Sequence, residues 1–211
     1  MLILDILQGT DEWLKARAGL ISASNFGKIL TPTGKKTDGK TRKDYLYQVA
    51  AERISGEPEG DGFKSAWMER GNELEADARL WFEEKFSVLV EQVGLVYMDD
   101  RKVISCSPDG LLGGEGLEIK CPKASTHIAY LDAGKVPTIY IPQIQGSMMV
   151  TGFDSWNFLS YHPAIKPLTQ GVYRDEKYIA LLREAVEEAN AEAEAIVERV
   201  KARTSAPESA T

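Results

Sequence analysis

Cysteine, histidine and long apolar runs are scarce in this chain of 211 residues. Two cysteines cannot build a disulfide framework, and the two histidines lie far from any cysteine pair, so no pattern typical of a zinc site is present. The longest apolar run is only a few residues, which excludes a transmembrane helix. The first residues contain no basic segment, and we expect no signal peptide. These features predict a soluble protein of the reducing cytoplasm.

Basic residues are also in the minority. The chain has 25 Lys and Arg against 32 Asp and Glu, a net charge of −7. This balance argues against a protein that coats nucleic acid passively, because such proteins carry excess positive charge. The charges are unevenly spread, however: residues 28–43 contain six basic residues and one acid, whereas residues 184–198 contain six acids and no base. An acidic protein with a local basic loop can still bind a polyanion through that loop.

The overall composition, with 43% hydrophobic and 27% charged residues, excludes a disordered or low-complexity protein. A chain of this length can bury a hydrophobic core without disulfides. We expect a single domain over residues 1–203 that ends in a long helix from about residue 177. Residues 204–211 are expected to form a flexible tail.

Apolar spacing is helical at both ends of the chain and strand-like in the middle, where Gly-rich turns separate short apolar segments. The predicted helices cover residues 11–18, 22–30, 43–54, 65–86, 124–131, 142–151 and 177–202. The predicted strands cover residues 88–98, 103–107, 111–112, 117–121 and 156–161, with a last short strand from residue 172. This order of helices, a small sheet and further helices indicates an α/β or α+β fold.

The most informative segments are 107–110, Ser-Pro-Asp-Gly, and 117–122, Leu-Glu-Ile-Lys-Cys-Pro. Side chains alternate faces along a strand, so Glu118 and Lys120 share one face and Ile119 points into the core. If the two strands pair as a hairpin, Asp109 lies beside Glu118. Two carboxylates and the Ile119 carbonyl are hard oxygen ligands suited to Mg²⁺ or Mn²⁺. Lys120 could then orient or deprotonate a water and stabilise charge on a phosphate.

The alternative is a surface hairpin with a solvated Glu–Lys pair and Asp109 as a turn residue. An isolated Glu-x-Lys is usually such a solvated pair. Glu75 on the long helix could add a third carboxylate, although it also fits a solvated helix face. Gln143 and Gln145 begin a buried helix, where they could bind phosphate or water or serve as polar helix-end residues.

A phosphate site is indicated near the amino terminus. Arg17 is followed by the hydroxyls of Ser22 and Ser24 beside the start of a predicted helix. An arginine and two hydroxyls at a helix N-terminus form a suitable cradle for a phosphate. The alternative is an N-cap serine next to a surface arginine.

Taken together, these motifs resemble those of phage lambda exonuclease and the YqaJ-type viral recombinase nucleases, within the PD-(D/E)XK superfamily. The resemblance extends over nearly the whole chain. The matching motifs are Arg17-x-Gly19-x-Ile21-x-Ala23-Ser24, Gly71-x(3)-Glu75, Cys106-Ser107-Pro108-Asp109-Gly110, Leu117-Glu118-Ile119-Lys120-Cys121-Pro122, Gln143-x-Gln145-x-Ser147-Met148-x-Val150-Thr151 and Arg174-Asp175-Glu176-Lys177-Tyr178.

The resemblance implies a restriction-endonuclease-like core, a small mixed central sheet flanked by helices, in a single nuclease domain. It implies a 5′→3′ exonuclease, dependent on Mg²⁺ or Mn²⁺ with two ions per site, that acts on double-stranded DNA ends. Such an enzyme releases 5′-mononucleotides and leaves a 3′ single strand for recombination. The implied partners are two further copies of the chain in a homotrimeric ring and a single-strand annealing protein. The implied setting is the cytoplasm of a bacterial host, with a phage or prophage origin.

The resemblance also implies roles for particular residues. Asp109, Glu118 and the Ile119 carbonyl would hold the metal, and Glu75 would support the second ion or the water. Lys120 would position the attacking water. Gln145 would help to hold the nucleophile or the lysine, and a role for Gln143 is less strongly implied.

The same resemblance implies a site for the terminal 5′-phosphate and a side chain that separates the strands, here called the wedge. The phosphate site would comprise Arg17 and the hydroxyls of Ser24, Ser22 and Ser107. The wedge would be Met68 or Trp67, although core packing is the favoured role for Trp67.

Two other functions are compatible with the sequence. An endonuclease or junction resolvase of the same superfamily needs no terminal phosphate, so replacing Arg17 would barely affect it. A non-catalytic DNA-end clamp would need no cluster of carboxylates beside a phosphate, and the intact Asp109, Glu118 and Lys120 argue against it.

Overall fold

The structure, a computed structural model, describes residues 2–59 and 66–204, with side chains from residue 74 onward in the second range. The helices are α1 (Asp11–Arg17), α2 (Lys40–Ser55), α3 (Ala66–Phe86), α4 (Ala124–Ala133), α5 (Ile141–Thr151) and α6 (Glu176–Thr204), with 3₁₀ turns at Ala23–Lys28 and Thr138–Tyr140. The strands are β1 (Leu2–Leu4), β2 (Ile21–Ser22), β3 (Leu95–Tyr97), β4 (Ile104–Cys106), β5 (Gly110–Leu112), β6 (Glu115–Lys120), β7 (Ser155–His162) and β8 (Ile165–Tyr173).

The strands form two four-stranded mixed sheets flanked by helices, in the orders β1-β3-β4-β2 and β5-β6-β7-β8. In the first sheet only β2 and β4 are parallel; in the second only β6 and β7 are. The connection from β6 to β7 runs through α4 and α5, as a parallel pair requires. The predicted mixed α/β class is confirmed, and its strands are divided between two sheets.

Several element boundaries differ from those predicted. The predicted strand over 88–98 is reduced to Leu95–Tyr97, and the predicted helix over 22–30 is a 3₁₀ turn. Strand β8 begins at Ile165 rather than at residue 172, because it forms a sheet edge that tolerates Pro167. Strands β1 and β2 were not predicted, since two or three residues carry no readable alternation.

Two hydrophobic clusters hold these layers together. The larger one packs α5 and one face of α6 against the first sheet and the 3₁₀ turn that contains Phe26. The smaller one packs Phe82 and Ala78 of α3 against Leu117 and Ile119 of β6. This second cluster places α3 directly over the strand that carries the Glu-x-Lys motif.

The basic segment and the acidic helix contact each other. Lys36 Nζ lies 2.8 Å from Glu184 and 2.6 Å from Glu188, and Arg42 forms a two-point ion pair with Glu192 (2.7 Å). Lys36 and Arg42 are therefore neutralised by ion pairs within the molecule, and this part of the basic segment is less available to bind a polyanion.

Helix α6 begins at Glu176 and extends to Thr204, one residue into the predicted tail; the rest of that tail lies outside the described residues. The single-domain boundary remains a prediction. Within the described ranges, none of the helices combines the length and apolarity needed to span a membrane.

Candidate active site

Strand β6 carries a buried carboxylate and a lysine on one face. Glu118, 1% exposed, forms an ion pair with Lys120. Ile119 points to the other face and packs in the smaller hydrophobic cluster. This alternation follows the two-residue repeat of a strand. Because Glu118 is buried, the alternative of a solvated surface pair is excluded.

The segment between β4 and β5 brings Asp109 against the same strand. Its backbone N–H donates to the Leu117 carbonyl (3.2 Å), and its Oδ2 accepts a hydrogen bond from the Ile119 N–H (2.6 Å). The pairing of β5 with β6 thus places Asp109 next to the Glu118 strand position, as the hairpin motif predicts.

Helix α3 adds Glu75 and an arginine that the sequence motifs did not indicate. Arg79 Nη2 donates to Glu75 Oε1 (2.7 Å), one helical turn away, and Arg79 Nε donates to the Asp109 carbonyl (3.2 Å). Arg79 therefore connects the helical carboxylate to the segment that holds Asp109. The four-residue spacing of Glu75 and Arg79 was the available signal.

The three carboxyl groups share a desolvated, mutually repulsive environment. Burial is the main cause that raises the pKa of Glu118 to about 7, and Asp109 and Glu75 add to the shift. The pKa of Glu75 is raised to about 7, first by burial and then by Asp109. Burial raises the pKa of Asp109 as well. Burial lowers the pKa of Lys120, but Glu118 and Asp109 outweigh it, so its pKa stands above the ordinary value and the ammonium is retained.

This donor set fits a hard divalent cation. Carboxylate oxygens and the Ile119 carbonyl are the ligand types that Mg²⁺ and Mn²⁺ prefer, and a cation would relieve the repulsion among Glu75, Asp109 and Glu118. Within residues 2–59 and 74–204, no three His, Cys, Asp or Glu side chains already surround one point as metal ligands. The carboxylates therefore supply the chemistry of a metal site without a preassembled cage.

A second cluster surrounds Arg17 at the end of α1. Its Nη2 donates to Ser22 Oγ (3.1 Å) and Ser24 Oγ (3.2 Å). The guanidinium also lies 4.2 Å from the centre of the Trp13 ring. Burial lowers the pKa of Arg17, but an arginine stays charged in proteins. A fixed positive charge beside two hydroxyls is suited to bind a phosphate.

A cavity of about 170 Å³ joins the two clusters, since its lining includes Arg17, Ser24, Ser107, Asp109 and Gln143. The Ser107 hydroxyl is buried, and the described residues offer it no hydrogen-bond partner. A larger cleft of about 980 Å³ also runs from Arg17 to Glu75 and Asp109. Arg17 and Asp109 therefore line both spaces, and Glu75 lines the larger one, whereas Glu118 and Lys120 line neither.

The structure does not bring Gln145 into this space. Its amide Nε2 donates to the Tyr173 carbonyl (2.8 Å), and its Oε1 accepts from the Asp175 N–H (2.9 Å), so both ends of the amide brace the junction of β8 and α6. Gln143 lines the cavity instead. Two residues along a helix turn a side chain by about 200°, so the two glutamines cannot share one role.

Tyr140 is a further residue that sequence reasoning missed. Lys120 Nζ lies 5.3 Å from the centre of its ring, and the ring stacks on Phe158 at a centroid distance of 5.5 Å. Its hydroxyl lies 3.1 Å from that of Tyr130. The aromatic face thus borders the lysine, a contact between residues 20 positions apart that no local pattern reveals.

The two wedge candidates, Trp67 and Met68, belong to α3, but their side chains lie outside the described residues.

Comparison with known families identifies the class of protein to which this fold belongs. The family model of the YqaJ-like viral recombinase domain matches residues 12–154, and the chain belongs to this family. No curated protein matches the chain.

Solved structures extend the similarity to nearly the full length. The chain is similar to the alkaline exonuclease LHK-Exo from Laribacter hongkongensis, with 32% identity, a TM-score of 0.82, and coverage of 92% of this chain and 98% of that chain. A structure of LHK-Exo in complex with dAMP gives a TM-score of 0.84 at the same identity and coverage. A phage-related exonuclease from Haemophilus somnus 129PT, 18% identical, shows the same fold, with a TM-score of 0.64 over 86% of this chain and 96% of that chain.

Proposed function

We propose that the protein is a metal-dependent 5′→3′ exonuclease that acts on double-stranded DNA ends, releases 5′-mononucleotides and leaves a 3′ single strand. The observation that supports this most directly is the cavity whose wall contains both Arg17 and Asp109. A phosphate held by Arg17 would lie close to the carboxylates. The phosphodiester bond next to a terminal phosphate would then be the one cleaved, which is the definition of an exonuclease. Similarity to LHK-Exo, itself an alkaline exonuclease, agrees with this activity.

In this mechanism each cluster has a defined part. Arg17, with Ser22, Ser24 and Ser107, binds the terminal 5′-phosphate and sets the register of the strand. Lys120 Nζ, held by Glu118, donates a hydrogen bond to the attacking water or to the phosphate and stabilises developing negative charge. Arg79 holds Glu75 and the Asp109 backbone in place.

Mg²⁺ or Mn²⁺, two ions per site, would be held by Asp109, Glu118, Glu75 and the Ile119 carbonyl. A bound divalent cation supplies Lewis-acid stabilisation of the phosphate and lowers the pKa of a coordinated water. Gln143, which lines the cavity, replaces Gln145 in our proposal as the glutamine near the reacting phosphate.

Assembly and partners follow from the same proposal. A homotrimeric ring would retain DNA topologically, so that a chain with a net charge of −7 needs no strong non-specific attraction to DNA. The 3′ strand would pass to a single-strand annealing protein, in a bacterial cytoplasm and in a recombination system of phage or prophage origin. Light scattering measures the mass of the assembly, and a trimer has three times the 23.3 kDa chain mass.

The activity is tested with linear duplex DNA that is labelled at one end and carries either a 5′-phosphate or a 5′-hydroxyl, with Mg²⁺ or with a chelator. We expect Mg²⁺-dependent release of 5′-mononucleotides, faster from the phosphorylated end. Lys120→Ala should lower the rate at least about 100-fold, in the range lost when a donor that stabilises developing negative charge is removed. Arg17→Ala should abolish the preference for the phosphorylated end.

Other outcomes would support the alternative functions. Internal cuts that are indifferent to the terminal phosphate would identify an endonuclease or junction resolvase. Tight binding to DNA ends without cleavage in Mg²⁺ or Mn²⁺ would identify a non-catalytic end clamp.

A further inference from the structure

Helix α2 holds one glycine by both of its backbone polar groups. The Gly19 N–H donates to Glu52 Oε2 (2.7 Å), and the Gly19 carbonyl accepts a hydrogen bond from Arg53 Nε (2.8 Å). Gly19 has a φ of +74°, and a Cβ built on it would lie 2.7 Å from Arg53 Cγ. The contact therefore requires glycine, both for its backbone conformation and for the close approach of the arginine stem.

This contact lies two residues beyond Arg17, the last residue of α1. Helix α1 has seven residues, and none of them is fully buried, although Arg17 is largely shielded from solvent. Hydrophobic burial therefore contributes little to the position of this helix, and directed hydrogen bonds add to it. One comes from Trp13 Nε1 to the Gly94 carbonyl (2.8 Å); the pair of bonds at Gly19 follows directly after the arginine.

The two residues that hold Gly19 are themselves braced. Glu52, 8% exposed, also accepts hydrogen bonds from Gln48 Nε2 (3.0 Å) and from the Glu59 N–H (3.0 Å). Arg53 Nη2 donates to Asn190 Oδ1 on α6 (2.7 Å). A buried carboxylate costs desolvation energy unless its oxygens are satisfied, and here they fix the position of a peptide unit that adjoins the proposed phosphate site.

We propose that Glu52 and Arg53 are positioning residues that act through Gly19 to hold Arg17 against the terminal 5′-phosphate, and so set the preference of the enzyme for phosphorylated ends. This inference rests on the proposed function. Neither side chain is assigned a contact with the phosphate, since both act through the backbone of Gly19.

The test is the ratio of kcat/KM for 5′-phosphoryl and 5′-hydroxyl duplex ends, measured on the full chain. Arg53→Met keeps the stem that packs on Gly19 and removes the donor. Glu52→Gln keeps the shape of the side chain. It replaces the carboxylate, which accepts hydrogen bonds from three donors, with a neutral amide. Each should lower the ratio about tenfold, the effect expected when one hydrogen bond to a charged group is lost.

Arg42→Met is the matched control. Arg42 also lies on α2 and also connects it to α6, through Glu192, but it does not contact Gly19. Its replacement should leave the ratio unchanged. If Arg53→Met fails to fold, Glu52→Gln carries the test alone. In an Arg17→Ala background the variants at positions 52 and 53 should have no further effect on the ratio, because the group they position is gone.

A purely structural role for Glu52 and Arg53 would lower both rates in proportion and leave the ratio intact, which overturns this proposal. If Arg17→Ala lowers the ratio but Arg53→Met and Glu52→Gln do not, the positioning role is wrong and the proposed function stands. If the unmodified enzyme cleaves both ends at one rate, the phosphate site of the proposed function is itself wrong.

Discussion

Lys120 is held by contacts of two different kinds. Glu118 pairs with its charge, and the face of Tyr140 lies 5.3 Å from its Nζ. An aromatic face attracts an ammonium by about 0.5–2 kcal/mol, more when water is excluded. The ring itself is kept in place by stacking on Phe158. The position of the ammonium therefore depends on an aromatic side chain 20 residues further along the chain.

Tyr140→Leu should slow single-turnover hydrolysis about fivefold to tenfold, because the ammonium loses the aromatic face that restrains it. Tyr140→Phe should retain most of the rate, since it loses only the hydroxyl contact with Tyr130. Tyr130→Phe, which removes the other half of that contact, serves as the control. A full rate in Tyr140→Leu would show that the ring has no part in holding Lys120.

At the scale of elements, α5 approaches the Phe26 turn closely near the site. A Cβ on Gly146 would lie 2.2 Å from Phe26 Cδ2. The same helix presents Gln143 to the cavity and uses Gln145 to hold the start of α6. The distance between α5 and the turn therefore decides where Gln143 sits relative to Asp109.

Gly146→Ala should lower the free energy of unfolding by about 1–3 kcal/mol, because a methyl group is forced into the Phe26 ring; the higher helix propensity of alanine offsets part of this loss. Urea denaturation followed by circular dichroism measures the change. Gly171→Ala is the control, since a Cβ there meets no atom within 4 Å. Equal stability of both variants would contradict the packing argument.

At the scale of the whole molecule, the site gathers charge from separate parts of the fold. Glu75 comes from α3, Asp109 from the connection before β5, and Glu118 from β6. In the folded state the pKa of Glu75 and of Glu118 is about 7, against ordinary values of 4.5. At a pH between these two pKa values, the folded protein therefore binds more protons than the unfolded chain. Its stability without metal should then fall as the pH rises from about 4.5 to about 7.

We expect chelator-treated protein to have a lower Tm at pH 8 than at pH 6, and Mg²⁺ to raise the Tm more at pH 8, where protons no longer compete for the carboxylates. Differential scanning calorimetry at both pH values, with and without Mg²⁺, tests this. Glu118→Gln should weaken the response to Mg²⁺ at pH 8. A Tm that is independent of Mg²⁺ at both pH values would contradict metal binding at this cluster.

Local sequence rules were sufficient for part of the site. The shared face of Glu118 and Lys120 follows from the two-residue repeat of a strand, and the short spacing of Arg17, Ser22 and Ser24 allowed their contact. The hairpin turn at residues 113–114 placed Asp109 near the same strand. These relations hold over about ten residues or fewer, a range at which backbone geometry alone dictates proximity.

The sequence by itself thus determined the class of fold, the β6 motif and the arginine–serine cluster, because apolar periodicity or a short motif is sufficient to predict each of them. Only the tertiary structure decided that Gln143 rather than Gln145 faces the cavity, that Tyr140 borders Lys120, and that α2 holds Gly19. It also decided that the basic segment pairs with α6 and that the strands divide into two sheets. The physical reason is the same in every case: these contacts join residues distant in sequence or select one face of a helix, and packing of the whole chain makes that selection.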